Sequence, residues 1–169
     1  MSRFMKIFFT AVLVGSVGLA SAAAGDAADI SNLVVGATSG NVSSSTSFTS
    51  GDNTTVNGYV NAVESITLGA NSSVSGNVSA GESFTSGDES RVKGSVQAKS
   101  DFTSGTNSTI GGSVQAGIDF TSGAFSVITG NVFAAWEVTL GAGSKILGSV
   151  HSGKHVITYG PGATVGSVK

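Results

Sequence analysis

An eighteen-residue repeat runs through this chain seven times without a change of length. The units begin at Gly40, Gly58, Gly76, Gly94, Gly112, Gly130 and Gly148, and an eighth start at Gly166 is followed only by Ser167, Val168 and Lys169. One unit reads G-x-V-x-A-x-x-x-F-T-S-G-x-x-S-x-V-x. A fixed period of this size dictates one supersecondary unit stacked on copies of itself. Such stacks serve as surfaces, spacers or fibres.

The columns of the repeat separate inside from outside. The third position is Val from Val42 through Val150, and again at Val168. The seventeenth is Val56, Val74, Val92, Ile110, Ile128 and Ile146, until Thr164 in the last unit. The fifth is mostly Ala, as at Ala98 and Ala116. Positions 17, 1, 3 and 5 thus read V-x-G-x-V-x-A, a period of two, which predicts a strand with alternate residues inside.

Position nine is Phe48, Ile66, Phe84, Phe102, Phe120, Val138 and Val156. Position eleven is Ser wherever position nine is Phe, and Leu after Ile66 and Val138; only Val156 with Thr158 departs from this. The exchange roughly conserves volume, so the two positions share a packed interior. Glycines from Gly51 through Gly141 mark a corner needing positive φ or close approach, and Asn53, Asn71 and Asn107 also suit turns; the seventh unit slips by one, with Gly160 replacing the glycine expected one position earlier and Pro161 after it. β-Branched, Gly and Ser residues argue against a helix. The expected fold is an all-β, single-domain β-solenoid of about seven coils, spaced about 4.8 Å apart in a rod of roughly 35 Å.

Composition narrows the setting. Charged residues are only 11% of the 169, and regular apolar spacing argues against disorder. A net charge of −2 leaves no basic patch for nucleic acid. Arg3 and Lys6, the apolar stretch 7–19 and Ala20-Ser21-Ala22 read as a cleavable export signal over 1–22. Cleavage removes two of eight basic residues and no acidic one, taking the charge from −2 to −4. The alternative is an uncleaved anchor. With zero cysteines, an exported product holds together without disulfides. Residues 23–39 read as a linker or partial cap, and 40–169 as the β-helix.

The string G-S-V-Q-A-G-I-D-F-T-S-G-A-F-S-V-I-T-G-N-V over 112–132, with V-T-L-G-A-G-S-K-I-L-G-S-V over 138–150, resembles the bactofilins, the polymer-forming cytoskeletal proteins of bacteria. The resemblance spans Gly36 to Val168. It implies a right-handed triangular β-helix that assembles into filaments without nucleotide. Bactofilins are typically cytoplasmic, so the export signal marks this chain as an exported form.

Other eighteen-residue coils fit less well. Hexapeptide acyltransferase helices need an aliphatic residue every six positions, and position fifteen here is mostly Ser. Calcium-binding nonapeptide rolls need a Gly-Gly-x-Gly-x-Asp rhythm, of which only Asp52 and Asp88 are a trace. His151 and His155 are four apart, which an extended chain separates by about 13 Å, so they read as a solvated pair. No Ser/His/Asp constellation or phosphate loop emerges. The chain is therefore read as a non-enzyme with no cofactor, metal, nucleotide or nucleic acid.

The sharpest surface feature is a column at position ten: Thr49, Thr67, Thr85, Thr103, Thr121 and Thr139. Such a rank on a flat face binds ice or surface glycans; the plainer reading is an exposed strand with cross-coil Thr–Thr hydrogen bonds. Phe125, Phe133 and Trp136 break the polar outer pattern and, with Val168, are candidate assembly contacts. A solenoid ends in open strand edges, and the opening of a new coil at Gly166 points to a second subunit that extends the rod. The sequence thus predicts a secreted, periplasmic or cell-surface structural protein, with a bacterial outer surface favoured. Its partners are itself and components of the cell envelope or matrix. A monomeric ligand-binding solenoid and a membrane-anchored scaffold are the alternatives.

Overall fold

The computed structural model describes residues 28–29 and 37–169, which form strands and turns with no helix among them. The export segment over 1–22 and most of the linker over 23–39 lie outside the described residues. From Gly40 onward the chain is a parallel β-solenoid of about seven coils.

Each unit makes one coil of three short strands. In coil 94–111 these are Val96–Ala98, Phe102–Ser104 and Thr109–Ile110. Each pairs in parallel with its equivalents one coil away: Val96 with Val78 and Val114, Phe102 with Phe84 and Phe120, Ile110 with Val92 and Ile128. Three faces result, carrying positions 3–5 (first), 9–11 (second) and 16–17 (third). The second face is a 7-stranded sheet. The other two merge where Lys145–Ser152, and Thr164–Val168 beside it, run as continuous strands from third face to first.

In the earlier coils that strand is broken, which corrects the V-x-G-x-V-x-A reading there. Arg91–Val92 ends before Val96–Ala98 begins, and the glycine of position one turns the corner between them. A Cβ on Gly76 would lie 2.7 Å from the Gly58 carbonyl oxygen of the preceding coil. Gly105 is equally constrained, its Cβ position 2.5 Å from the Asp88 nitrogen. Neither has positive φ, so at these two positions close approach alone requires glycine, whereas Gly40 at the first corner has φ 118° and open space around it.

Positive φ falls two residues after the second corner glycine, at position fourteen. Asn53, Asn71, Glu89, Asn107 and Phe125 lie there at φ 55–60°, followed by Gly143 at 66°. Asn tolerates this left-handed region best among residues with a side chain; Glu and Phe are held there by the stack.

The interior follows the expected alternation. Strands of the first and second faces repeat a buried–exposed–buried pattern, and Phe84, Phe102 and Phe120 are wholly buried. Their rings stack along the rod axis, with centroids 5.3 Å apart between Phe84 and Phe102 and 4.9 Å between Phe102 and Phe120. Position fifteen is also interior, as Ser72, Ser90, Ser108, Ser126 and Ser144 are buried. Each hydroxyl donates to the carbonyl of the corner glycine one coil earlier, as Ser108 Oγ does to Gly87 at 3.2 Å and Ser144 Oγ to Gly123 at 2.7 Å. A polar column is tolerated inside because every hydroxyl in it is paired.

The seventh coil departs from the count of eighteen. That count puts Val156 and Thr158 inward and Thr164 at position seventeen. The pairing is instead nineteen residues: Val138 lies opposite Ile157, Leu140 opposite Tyr159 and Ile146 opposite Val165. The extra residue is absorbed in the turn after Ser152, where His155 takes φ 57°. The frame returns at Ser167 opposite Ser149 and Val168 opposite Val150, across an irregularity at Gly166. A turn accepts one more residue cheaply, whereas a strand shifted by one exchanges its inner and outer faces.

At the other end, Ala28–Asp29 pairs with Val42–Ser43 on the first face and Ala37–Ser39 with Thr55–Asn57 on the third. Described strands therefore cover the first coil on two of its three faces.

Candidate functional site

The second face places the threonine column outward and in register. Thr49, Thr67, Thr85, Thr103, Thr121 and Thr139 face one another in successive coils, and the nineteen-residue step adds Thr158 opposite Thr139. Sequence counting missed this seventh member. The expected Thr–Thr hydrogen bonds do not form: none of these hydroxyls has a partner among the described residues. At about 4.8 Å between adjacent strands, equivalent hydroxyls are too far apart to bond.

The neighbouring column at position eight is occupied structurally. Ser47 Oγ donates to Glu64 at 3.0 Å and Ser65 Oγ to Glu82 at 3.2 Å. Further along, Asp101 accepts from the Asp119 N–H and Asp119 from the Glu137 N–H, at 3.2 and 3.0 Å. The second face thus offers one column of free hydroxyls beside one column committed to the stack.

On the first face, Phe133 lies flat against His151 with ring centroids 5.1 Å apart and an interplanar angle of 8°. Below it, in register, are Gln115 and Gln97. The third face carries the basic residues Arg91, Lys93 and Lys145, all exposed. The corner between first and second faces holds Trp136, half exposed at 51%, with Lys154 Nζ 3.4 Å from its ring centroid. The Ser152 hydroxyl donates to the Trp136 carbonyl and fixes that corner. Phe125 sits at the corner between second and third faces, over Gly143, away from the face that bears Phe133.

The last coil is the other candidate. Its inward column comprises Ile157, Ala163 and Val165, which pack against the core yet stay partly exposed, with Tyr159 at 45% and Val168 at 56% exposure. Val156–Tyr159 pairs on one side only, with Glu137–Leu140, and is the terminal strand of its sheet. Large exposed apolar side chains gather toward this end. Ile118, Phe125, Phe133, Trp136, Leu147, Val156, Tyr159 and Val168 belong to coils 5–7 and beyond, against only Tyr59 and Val63 before them among the described residues.

Other sequence candidates resolve into structural roles. Asp52 and Asp88, the trace of a calcium motif, accept the N–H groups of Ala70 and Thr106 at 2.8 and 2.7 Å. His151 is stacked on the first face, whereas His155 is exposed in its turn. No cluster of three His, Cys, Asp or Glu able to hold a metal occurs among the described residues. No protein-family model matches the chain, and no curated protein or solved structure is significantly similar to it.

Proposed function

We infer that this chain is a secreted or surface-exposed structural protein whose rods join end to end into filaments, a matrix or an adhesive fibre. The observation that carries the reading is the last coil. It pairs strand for strand with the coil above it, across a one-residue slip, while leaving Ile157, Tyr159, Val165, Val168 and a terminal strand edge open among the described residues. Every coil-to-coil contact in the rod buries the same columns, so a coil end is complementary by construction to another coil. An open edge with apolar neighbours is a template for a further strand. An end contact that does not close on itself generates a fibre. This is the behaviour that the bactofilin resemblance implies, here outside the cytoplasm, with itself and envelope or matrix components as partners.

Electron microscopy of the purified chain across a wide concentration range tests it. Filaments or rod multimers are expected, and Tyr159→Lys with Val168→Lys is expected to return them to single rods. Single rods at every concentration would overturn the reading. Fractionation of cells with sequencing of the mature N-terminus tests the export half.

The seven unpaired threonine hydroxyls favour one second reading, a monomeric rod that binds ice through the second face. Thermal hysteresis abolished by Thr103→Lys is its expected signature, and none in the native protein excludes it.

A further inference from the structure

The first face carries a shallow trough of about 530 Å3 along the rod axis, floored by the Val-x-Ala strands of coils 3–6. A second depression of about 380 Å3 shares Asn77 and Ser79 with it and extends it to Tyr59. Tyr59 and Phe133, each about two-fifths exposed, therefore stand at its two ends. They are four coils apart, about 19 Å.

The two side-chain columns that line the trough are prepared differently. At position two the side chains are locked to the backbone of the next coil: Asn77 Oδ1 accepts from the Ser95 N–H at 2.9 Å and Asn131 Oδ1 from the Ser149 N–H at 2.8 Å. Their amide NH2 groups, held in direction by these bonds, have no partner among the described residues. At position four, Gln97 and Gln115 lie in register and their side chains make no hydrogen bond among the described residues. Each amide thus presents a donor and an acceptor together. Phe133 closes the row as an aromatic wall, one ring face stacked on His151 of the next coil and the other on the side of Gln115.

This lining selects its ligand by chemistry. No charged side chain lines either depression, so an anion would meet no cation, and a nucleic acid no phosphate partner. A wholly apolar ligand would strip water from the amides without replacing their hydrogen bonds. A second rod laid against this face would also have to pair every amide. A neutral carbohydrate chain meets both requirements: its hydroxyls bridge amide donor and acceptor, and the C–H face of a pyranose ring covers an aromatic ring. The step of about 4.8 Å between coils is close to the length of one pyranose in an extended chain, so two successive sugars meet Gln97 and Gln115 in the same way.

We propose that the first face binds a neutral, extended polysaccharide lying along the rod, with Phe133 and Tyr59 as stacking platforms and Gln97 and Gln115 as the hydroxyl-reading amides. The site is separate from the open last coil and from the threonine column.

Affinity electrophoresis of the full chain in native gels containing hydroxyethylcellulose, glucomannan, xylan or laminarin tests this, with alginate as the anionic control. Retardation is expected in at least one neutral gel and is expected to persist in about 1 M salt, where exposed charge interactions are screened. Phe133→Ala is expected to weaken it about tenfold, as loss of one stacking platform does. Gln97→Ala with Gln115→Ala weakens it similarly, while Thr103→Lys on the second face leaves it unchanged. All these side chains are exposed, so thermal melting should show each variant folded, and end-to-end assembly should survive Phe133→Ala. No retardation in any neutral gel overturns the proposal, as does retardation that both variants retain. Phe133→Ala splitting a lateral dimer would assign the face to a second copy instead.

Discussion

Thr158 lies directly opposite Thr139, nineteen residues along the chain, whereas Thr139 lies opposite Thr121 at eighteen. The extra residue is confined to the turn that contains His155 at φ 57°, and the strand beyond resumes its alternation. Removing His155 should therefore leave a turn of the same length as in other coils and relieve a left-handed residue that costs about 1–2 kcal/mol. The expected result is stability unchanged within about 1 kcal/mol or slightly raised, read by urea denaturation. Removing Thr158 instead shifts Tyr159 out of the inner column and should cost about 2 kcal/mol.

Serine-to-alanine changes should have opposite signs at two buried positions of neighbouring strands. Ser86 Oγ and Ser104 Oγ are buried without a hydrogen-bond partner, beside the stacked phenylalanines. Ser90 Oγ and Ser108 Oγ are buried and donate to the Gly69 and Gly87 carbonyls at 3.0 and 3.2 Å. Ser86→Ala and Ser104→Ala remove an unsatisfied group and should be neutral or stabilising. Ser90→Ala and Ser108→Ala lose a bond and should cost about 1 kcal/mol each. Thermal melting of the four single variants decides it; a uniform loss across all four would contradict the assignment.

The inner columns were legible because alternation is a strand's own signature, and Val42, Phe102 and Ile110 all carry it. Position fifteen was not. Ser108 reads as a breach of an aliphatic rule, yet it is interior because its hydroxyl finds the Gly87 carbonyl of the coil before, a partner visible only in the stack. The left-handed position fourteen was half legible: Asn53, Asn71 and Asn107 announce it, while Glu89 and Phe125 conceal it. The slip in the last coil was legible at Gly160, one residue beyond the expected corner glycine, but not where it enters, since Val156 and Ile157 each satisfy the pattern when placed inward. Among surfaces, the threonine column could be counted off the sequence. The trough could not, because its chemistry depends on which of the polar side chains are already tied to backbone.

The alternation of Phe/Ser with Ile/Leu at positions nine and eleven predicts a compensated exchange. Phe102 is wholly buried between Phe84 and Phe120, and Ser104 lies two residues along the same strand. Phe102→Ile alone opens a cavity and breaks two ring stacks, at a cost of about 3 kcal/mol. Ser104→Leu alone forces extra methylene volume into a full core, at about 1–3 kcal/mol. Together they recreate the Ile66/Leu68 coil and should cost much less than their sum. A double-mutant cycle by urea denaturation is expected to show coupling of at least about 2 kcal/mol; additive losses would mean that the two positions do not share the space.

Phe125 holds φ 56° in the left-handed column, and its ring edge fills the space above Gly143, where a Cβ would lie 2.6 Å from Phe125 Cδ1. An exposed phenylalanine in this region is strained, while Asn71 and Asn107 occupy the same position at φ 55° and 56°. Phe125→Asn should therefore raise stability by about 0.5–1 kcal/mol despite the lost ring contact. Gly143→Ala meets two penalties, its own φ of 66° and the ring above it. In the native background it should cost about 2 kcal/mol, and in the Phe125→Asn background only the backbone share of about 1 kcal/mol should remain. Thermal melts of the two single variants and the double variant separate the terms. An equal cost of Gly143→Ala in both backgrounds would mean that the ring yields freely and that only the backbone angle requires glycine there.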